Sequence, residues 1–107
     1  MKRLVRLVIA WFVYAACMAV GAKTVLIDVR TETEYLQEHI DGAINIDHRA
    51  ISRLIEAEKV AKDDTVILYC RSGRRSALAQ ESLKAMGFSR VENYGGIEAA
   101  RKRLGKK

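Results

Sequence analysis

A single cysteine followed by a short basic loop is the feature of this sequence best suited to chemistry. Cys70 follows the apolar, β-branched run of residues 65–69, and the segment RSGRRS at 71–76 precedes a helical pattern. This order predicts a strand, a loop and a helix, with the thiol at the carboxyl end of the strand. Backbone N–H groups at the helix start and the helix dipole favour the thiolate, which is the nucleophilic form of cysteine.

The loop after the thiol is rich in arginine. Guanidinium groups stay charged and bind oxyanions in a fork, so these arginines could hold an anionic substrate next to the sulfur. A loop this basic has to be solvated, and we therefore expect a partly exposed, reactive thiol rather than an inert core cysteine. Besides Cys70 as nucleophile, the predicted substrate-binding residues are Arg71, Ser72, Gly73, Arg74 and Arg75. Ser76 is interpreted as a capping group at the helix N-terminus, not as a nucleophile.

Strand and helix patterns alternate along the chain. Apolar, β-branched runs predict strands at 24–29, 43–46, 65–69 and 89–93. Helical spacing predicts helices from a capping box at Thr31 to residue 38, over 49–60, after the cysteine loop to Gly87, and over 97–104, with a tight turn at residues 95–96. Such alternation is typical of an α/β fold with a mainly parallel central sheet flanked by helices. Ligands in these folds bind beyond the carboxyl ends of the strands, where Cys70 falls.

Several spaced motifs, together with the cysteine loop, resemble the rhodanese family of sulfurtransferases. They are DVR at 28–30, Glu34 with Tyr35, EHIDGAINI at 38–46 and NYGGI at 93–97. The resemblance covers residues 25–104, and the short chain is most similar to the small periplasmic members of the family. Two positions depart from the family pattern: Asp47 replaces a frequent proline, and Ala99 and Ala100 occupy the stretch where tryptophan is frequent.

The resemblance implies a single rhodanese-like domain and a thiosulfate sulfurtransferase activity. A Cys70 persulfide would pass sulfane sulfur from thiosulfate to cyanide or a thiol, without a cofactor. It also implies that Asp28 and Arg30 support the site, by pairing with each other or with a loop arginine; the alternative is a plain surface ion pair. No spacing of histidine, cysteine and carboxylate residues indicates a metal site.

Two other functions remain open at this point. A cysteine phosphatase or arsenate reductase needs the pattern Cys-x5-Arg, but the sixth position after Cys70 is Ser76, and Arg75 comes one residue early. The loop is therefore one residue short for a tetrahedral phosphate. A non-catalytic sulfur carrier or binding module is the second alternative, although the presence of Cys70 favours an enzyme.

The N-terminal segment differs in composition from the rest. Residues 1–22 combine a basic start, an uncharged apolar run at 7–20 and the small-residue end VGA, which predicts a cleaved secretory signal and a periplasmic protein. A retained membrane anchor is the alternative, and only then would the protein contact a membrane. Cleavage removes three of the 19 basic residues, so the net charge of the domain at 23–107 falls below +6. A positive charge this small does not indicate a nucleic-acid interface. Cleavage also removes Cys17, which leaves Cys70 without a disulfide partner in the chain.

Overall fold

The computed structural model describes residues 22–107, so the predicted signal at residues 1–22 lies, except for Ala22, outside the described part of the chain. Strands and helices alternate through residues 22–107 as the sequence predicts. In order they are β1 (Thr24–Asp28), α1 (Glu32–Gln37), β2 (Ile44–Asn45), α2 (Ile51–Leu54), a 3₁₀ helix (Ile55–Glu58), β3 (Thr65–Cys70), α3 (Arg74–Ala85), β4 (Arg90–Gly96) and α4 (Ile97–Leu104). None of the helices in this region has the length and apolar character needed to cross a membrane.

The four strands form one parallel sheet in the order β2-β1-β3-β4. The central strands β1 and β3 pair from Thr24 with Thr65 to Asp28 with Tyr69, so their carboxyl ends meet at one edge. Cys70 is the last residue of β3 and lies at that edge. The predicted α/β architecture and the predicted position of the thiol are confirmed.

Alternation along the central strands creates a separate core on each face of the sheet. Ile27 and Leu68 point into one cluster, which also contains Cys70 and is covered by α2 and α3. Leu26 and Ile67 point into the other, which α4 covers through Ile97 and Ala100. The cysteine loop therefore follows a strand that is packed on both sides, and this packing fixes the position of Cys70.

Local signals set two helix boundaries correctly. The side chain of Thr31 accepts from the Glu34 N–H at 3.3 Å while the Glu34 carboxylate accepts from the Thr31 N–H at 3.2 Å, which is the predicted capping box. At the end of α3, Gly87 has a φ of 99°, and the N–H of Phe88 bonds the Leu83 carbonyl at 3.1 Å. This is the Schellman arrangement that a glycine after the last turn makes possible.

Two predicted elements are wrong in extent. The single helix expected over residues 49–60 is a short α-helix that becomes a 3₁₀ turn at Ile55 and ends at Lys59 in a left-handed conformation (φ 56°). Ala50 at its start provides no side-chain cap, so little holds this segment in a longer helix. The tight turn expected at residues 95–96 is instead the end of β4, where Gly96 pairs with Cys70.

Candidate functional site

The cysteine loop connects the end of β3 to the start of α3 in three residues. Gly73 is the N-cap of α3 with a φ of 97°, a left-handed conformation that costs a glycine little. This conformation brings the Gly73 N–H to 2.9 Å from the Cys70 sulfur. The loop thus turns back over the thiol.

The Cys70 thiol has an environment that favours ionisation. Burial raises its pKa, but the Ser76 hydroxyl and the backbone N–H groups of Ser76, Ser72 and Gly73 more than offset this, and the pKa lies below its ordinary value. This agrees with the predicted nucleophile. The expected partial exposure is wrong: Cys70 is 0% exposed, because its side chain packs in a hydrophobic cluster beneath its own loop. The sulfur is therefore stabilised by N–H donors rather than by water.

The three loop arginines do not converge on one point. The guanidinium of Arg75 makes two hydrogen bonds with the Glu34 carboxylate, at 2.7 and 3.0 Å. Arg71 and Arg74 are exposed and form no ion pair with any residue in 22–107. The predicted anion cradle of three arginines is therefore divided into one paired cation, Arg75, and two solvated cations.

Ser76 has a different place from the one predicted. Gly73 occupies the N-cap position, so Ser76 lies three residues inside α3 and does not cap it. Its side chain is fully buried, with Oγ 3.4 Å from the Cys70 sulfur and 2.7 Å from Oδ1 of Asn93. Ser76 therefore supports the site through its contact with the sulfur instead of capping the helix. Ser72 is exposed and offers its backbone N–H to the thiol.

Asp28 and Arg30 form a buried ion pair rather than a surface one. Arg30 donates to both carboxylate oxygens of Asp28 at 2.7 to 3.1 Å, and the two side chains are 5% and 0% exposed. Arg30 also donates to the Glu38 carbonyl at 2.6 Å. Of the two pairings expected, the structure contains the one between these residues themselves, and it ties the end of β1 to the chain beyond α1.

A polar cavity lies at the same edge of the sheet. Its volume is about 180 Å³, and it is lined by Arg30, Glu34, Gln37, Glu38, Arg71 and Ile97. Arg30 and Glu34 are each neutralised by a partner, Asp28 and Arg75 respectively. The third charged group with a partner is Glu38, which pairs with Arg101 at 3.2 Å. Arg71 is the cation of this lining without an ion-pair partner among the described residues, and it gives the cavity a preference for anions.

Glu34 and Asn93 are the site residues whose roles sequence reasoning missed. Both lie in the motifs that resemble the rhodanese family, but the sequence predicts only the capping function of Glu34. Asn93 bonds the loop through Ser76 and through its own Nδ2, which donates to the Gly73 carbonyl at 3.1 Å. No local sequence signal marks either contact, since Glu34 and Arg75 are 41 residues apart.

Two glycines after Asn93 allow the loop and β4 to approach closely. A Cβ at Gly96 would collide with the Arg71 carbonyl oxygen, and a Cβ at Gly73 would lie 3.2 Å from Cα of Gly95. The two glycines of the NYGG segment therefore leave space for the backbone of the cysteine loop.

Within residues 22–107, no group of three or more histidine, cysteine or carboxylate side chains is arranged to hold a metal ion. A buried thiol faced by backbone N–H groups, at the carboxyl edge of a parallel sheet, defines an α/β domain built for thiolate chemistry on anionic substrates.

Comparison with known proteins identifies the family. The chain belongs to the rhodanese-like domain family, whose model matches residues 15–102. It is 46% identical over 72 residues to the thiosulfate sulfurtransferase PspE of Escherichia coli (strain K12), covering 67% of this chain and 69% of that protein. It is 40% identical over 75 residues to a sulfurtransferase of Allochromatium vinosum, covering 69% of this chain and 68% of the relative.

A solved structure shows the same fold. A rhodanese with anions from E. coli superposes with a TM-score of 0.68 at 43% identity, covering 71% of this chain and 89% of that one. These findings confirm the predicted rhodanese-like fold and the predicted class of enzyme: the chain is a sulfurtransferase.

Proposed function

We propose that this protein transfers sulfane sulfur from thiosulfate through a persulfide on Cys70. The observation that carries the proposal is the Cys70 sulfur itself, which lies 2.9 Å from the Gly73 nitrogen and faces further donors from Ser72 and Ser76. Such donors stabilise a sulfur anion at a buried position. The similarity to a thiosulfate sulfurtransferase and the cationic Arg71 beside the cavity support thiosulfate as the donor.

The reaction consists of two half-reactions on one nucleophile. The Cys70 thiolate attacks the outer sulfur of thiosulfate, the sulfur–sulfur bond of the donor breaks, and sulfite leaves with the electron pair. The resulting persulfide has its negative charge on the terminal sulfur. Cyanide or a thiolate then attacks that terminal sulfur, and Cys70 leaves as a thiolate. This order predicts ping-pong kinetics.

Substitution of the nucleophile tests the proposal. Cys70→Ser should abolish thiocyanate formation from thiosulfate and cyanide, because a serine alkoxide is inaccessible near neutral pH without a base. Cys17→Ser, which changes the other cysteine of the chain, is the matched control and should keep turnover. Circular dichroism of both variants checks the fold, and thiocyanate formation by folded Cys70→Ser would overturn the persulfide mechanism.

We further propose that the protein is exported and acts in the periplasm, with residues 1–22 as the signal. The basic start, apolar run and small-residue end of this segment support export. Intact mass spectrometry after expression in a bacterial host tests it: we expect a chain beginning at Lys23 in the periplasmic fraction. A full-length chain in the cytoplasm would contradict the proposal.

A further inference from the structure

The side chain of Asn93 joins three parts of the site. Its Oδ1 lies 2.7 Å from Ser76 Oγ and accepts from the Gly95 N–H at 2.8 Å, while its Nδ2 donates to the Gly73 carbonyl at 3.1 Å. β4 carries one extra residue here, since Leu68 pairs with Asn93 but Cys70 pairs with Gly96. A bulge of this kind redirects side chains, and here it brings Asn93 to the cysteine loop.

The orientation of the Asn93 amide is fixed by its partners. The Gly95 N–H can only donate, so the atom beside it has to be the oxygen. The Gly73 carbonyl can only accept, so the atom beside it has to be the NH₂ group. Oδ1 therefore faces Ser76 as an acceptor, and the short contact of 2.7 Å requires the Ser76 hydroxyl to donate its proton to it.

The Ser76 hydroxyl has one proton to donate, and two neighbouring acceptors compete for it: Asn93 Oδ1 and the Cys70 sulfur. While the Ser76 hydroxyl donates its hydrogen bond to Asn93, Ser76 Oγ can accept from the S–H of Cys70 at 3.4 Å but cannot donate to the sulfur. When Cys70 is a thiolate, the sulfur becomes an acceptor with a negative charge and competes with the neutral Asn93 oxygen. The Gly73 carbonyl, 3.1 Å from Ser76 Oγ, already accepts from Asn93 and from the Ala77 N–H, so it is the weaker rival.

We propose that Asn93 is a positioning residue for sulfur transfer, whose amide oxygen competes with the Cys70 sulfur for the Ser76 hydroxyl proton. The hydroxyl turns to the sulfur whenever Cys70 carries negative charge, as it does after the second half-reaction. It returns to Asn93 once the persulfide forms, because the charge then lies on the outer sulfur. The proton stays on Ser76 throughout, and only the O–H bond rotates.

The charged groups around Cys70 are separate from the contact between Ser76 and Asn93. The charge of Arg75 on α3 reaches the sulfur, and Arg75 is in turn faced by Glu34 from α1 and by Asp47 from the segment after β2. Ser76 and Asn93 are both neutral. Replacing either by alanine therefore leaves these charges in place and changes the hydrogen bonds alone.

The test is the pH dependence of Cys70 alkylation by iodoacetamide in a Cys17→Ser background, where Cys70 is the single thiol. The inference rests on Cys70 being the nucleophile of the proposed function. Alkylation needs no sulfur donor, so its outcome is separate from that of the thiocyanate assay.

Opposite shifts are expected for the two partners. Ser76→Ala removes a donor to the thiolate, so the alkylation midpoint should rise by about half to one pH unit, the size of one hydrogen bond. Asn93→Ala frees the Ser76 proton for the sulfur, and the midpoint should fall by a similar amount. In the double variant the Asn93 effect should vanish, because the hydroxyl through which it acts is absent.

A purely structural role gives the contrary pattern. Loss of the Asn93 contacts would loosen the loop, weaken the N–H donors and raise the midpoint with or without Ser76.

Asn93→Asp covers the case in which Asn93→Ala does not fold, since it keeps the acceptor facing Ser76 and Gly95. It should raise the midpoint more with Ser76 present than with Ser76→Ala. A rise or no change in Asn93→Ala, or equal shifts of Asn93→Asp in both backgrounds, would overturn the proposal.

Discussion

Glu34 and Arg75 are joined by two hydrogen bonds, of 2.7 and 3.0 Å, across 41 residues of sequence. The same carboxylate accepts from the N–H and the hydroxyl of Thr31 at 3.2 and 3.0 Å, so it also closes the N-terminus of α1. One side chain thereby connects the first helix of the described region to the first turn of α3, directly after the cysteine loop. The loop is held from outside by α1 as well as from inside by Asn93.

Glu34→Gln should lower stability at neutral pH but not in acid. The hydrogen bond from Arg75, partly opposed by burial, lowers the pKa of Glu34 from 4.5 to about 2. A carboxyl with a lowered folded-state pKa stabilises the fold above its unfolded value and loses this effect as pH falls through its folded value. The difference from wild type should therefore shrink between pH 4.5 and about 2.

Urea denaturation across this pH range measures the effect. Glu32→Gln is the matched control, because Glu32 is an exposed carboxylate in the same helical turn without an ion pair among residues 22–107. A constant difference between Glu34→Gln and wild type at all pH values would show that the ion pair does not contribute to stability.

Arg71→Ala should weaken thiosulfate binding. Arg71 lines the cavity without an ion-pair partner in the described region, whereas Arg75 is engaged by Glu34. Loss of a charge-assisted contact to an anion costs about 1.5–3 kcal/mol, which predicts a KM roughly tenfold to a hundredfold higher at similar kcat. Arg75 is also among the substrate-binding residues predicted from the sequence, but its guanidinium is paired with Glu34, so we expect Arg75→Ala to act mainly on stability.

Steady-state kinetics with varied thiosulfate test this prediction. Arg74→Ala is the control, since Arg74 is equally exposed but does not line the cavity. If Arg71→Ala and Arg74→Ala both keep the wild-type KM, the anion is held by the loop backbone alone.

Gly96→Ala should inactivate the enzyme. The added Cβ would collide with the carbonyl oxygen of Arg71, and a backbone atom cannot move aside without displacing the loop that follows Cys70. We expect a large loss of kcat for thiocyanate formation. Gly105→Ala is the control. Its φ of 65° makes alanine strained by about 1 kcal/mol, but an added Cβ meets open space at the C-terminal end of α4, so activity should remain. Full activity of Gly96→Ala would mean that the loop tolerates displacement.

Asp28→Asn should destabilise the fold strongly. It leaves the Arg30 guanidinium, 5% exposed, without its anionic partner, and breaking one side of a buried pair costs about 3–5 kcal/mol. Asp47→Asn breaks the pair with Arg49, whose side chain is 72% exposed, and should cost less than about 1 kcal/mol. Chemical denaturation of the two variants compares them directly, and similar losses would show that burial of the Asp28–Arg30 pair is energetically unimportant.

The amino-acid sequence determined the elements and the place of the nucleophile. Runs of β-branched residues marked β1 and β3, the capping box at Thr31 and the glycine at 87 set helix ends, and α4 has the predicted bounds. These features depend on interactions within a few residues of each other, so a local pattern suffices to predict them. The order of a strand, a cysteine and a basic loop likewise placed Cys70 at the edge of the sheet.

The tertiary structure alone decided which side chains meet at that edge. Two contacts join segments that are distant in sequence: Arg75 pairs with Glu34, and Ser76 bonds Asn93. The burial of Cys70 also depends on segments that are distant in sequence. The register of β3 against β4, with one extra residue after Asn93, brings Asn93 to Ser76. The parallel pairing of β1 with β3 places the segment after β1, which carries Glu34, at the same edge as Arg75. Register and bulges follow from packing of the whole sheet rather than from local preference, so a local pattern in the sequence does not predict which of these side chains meet.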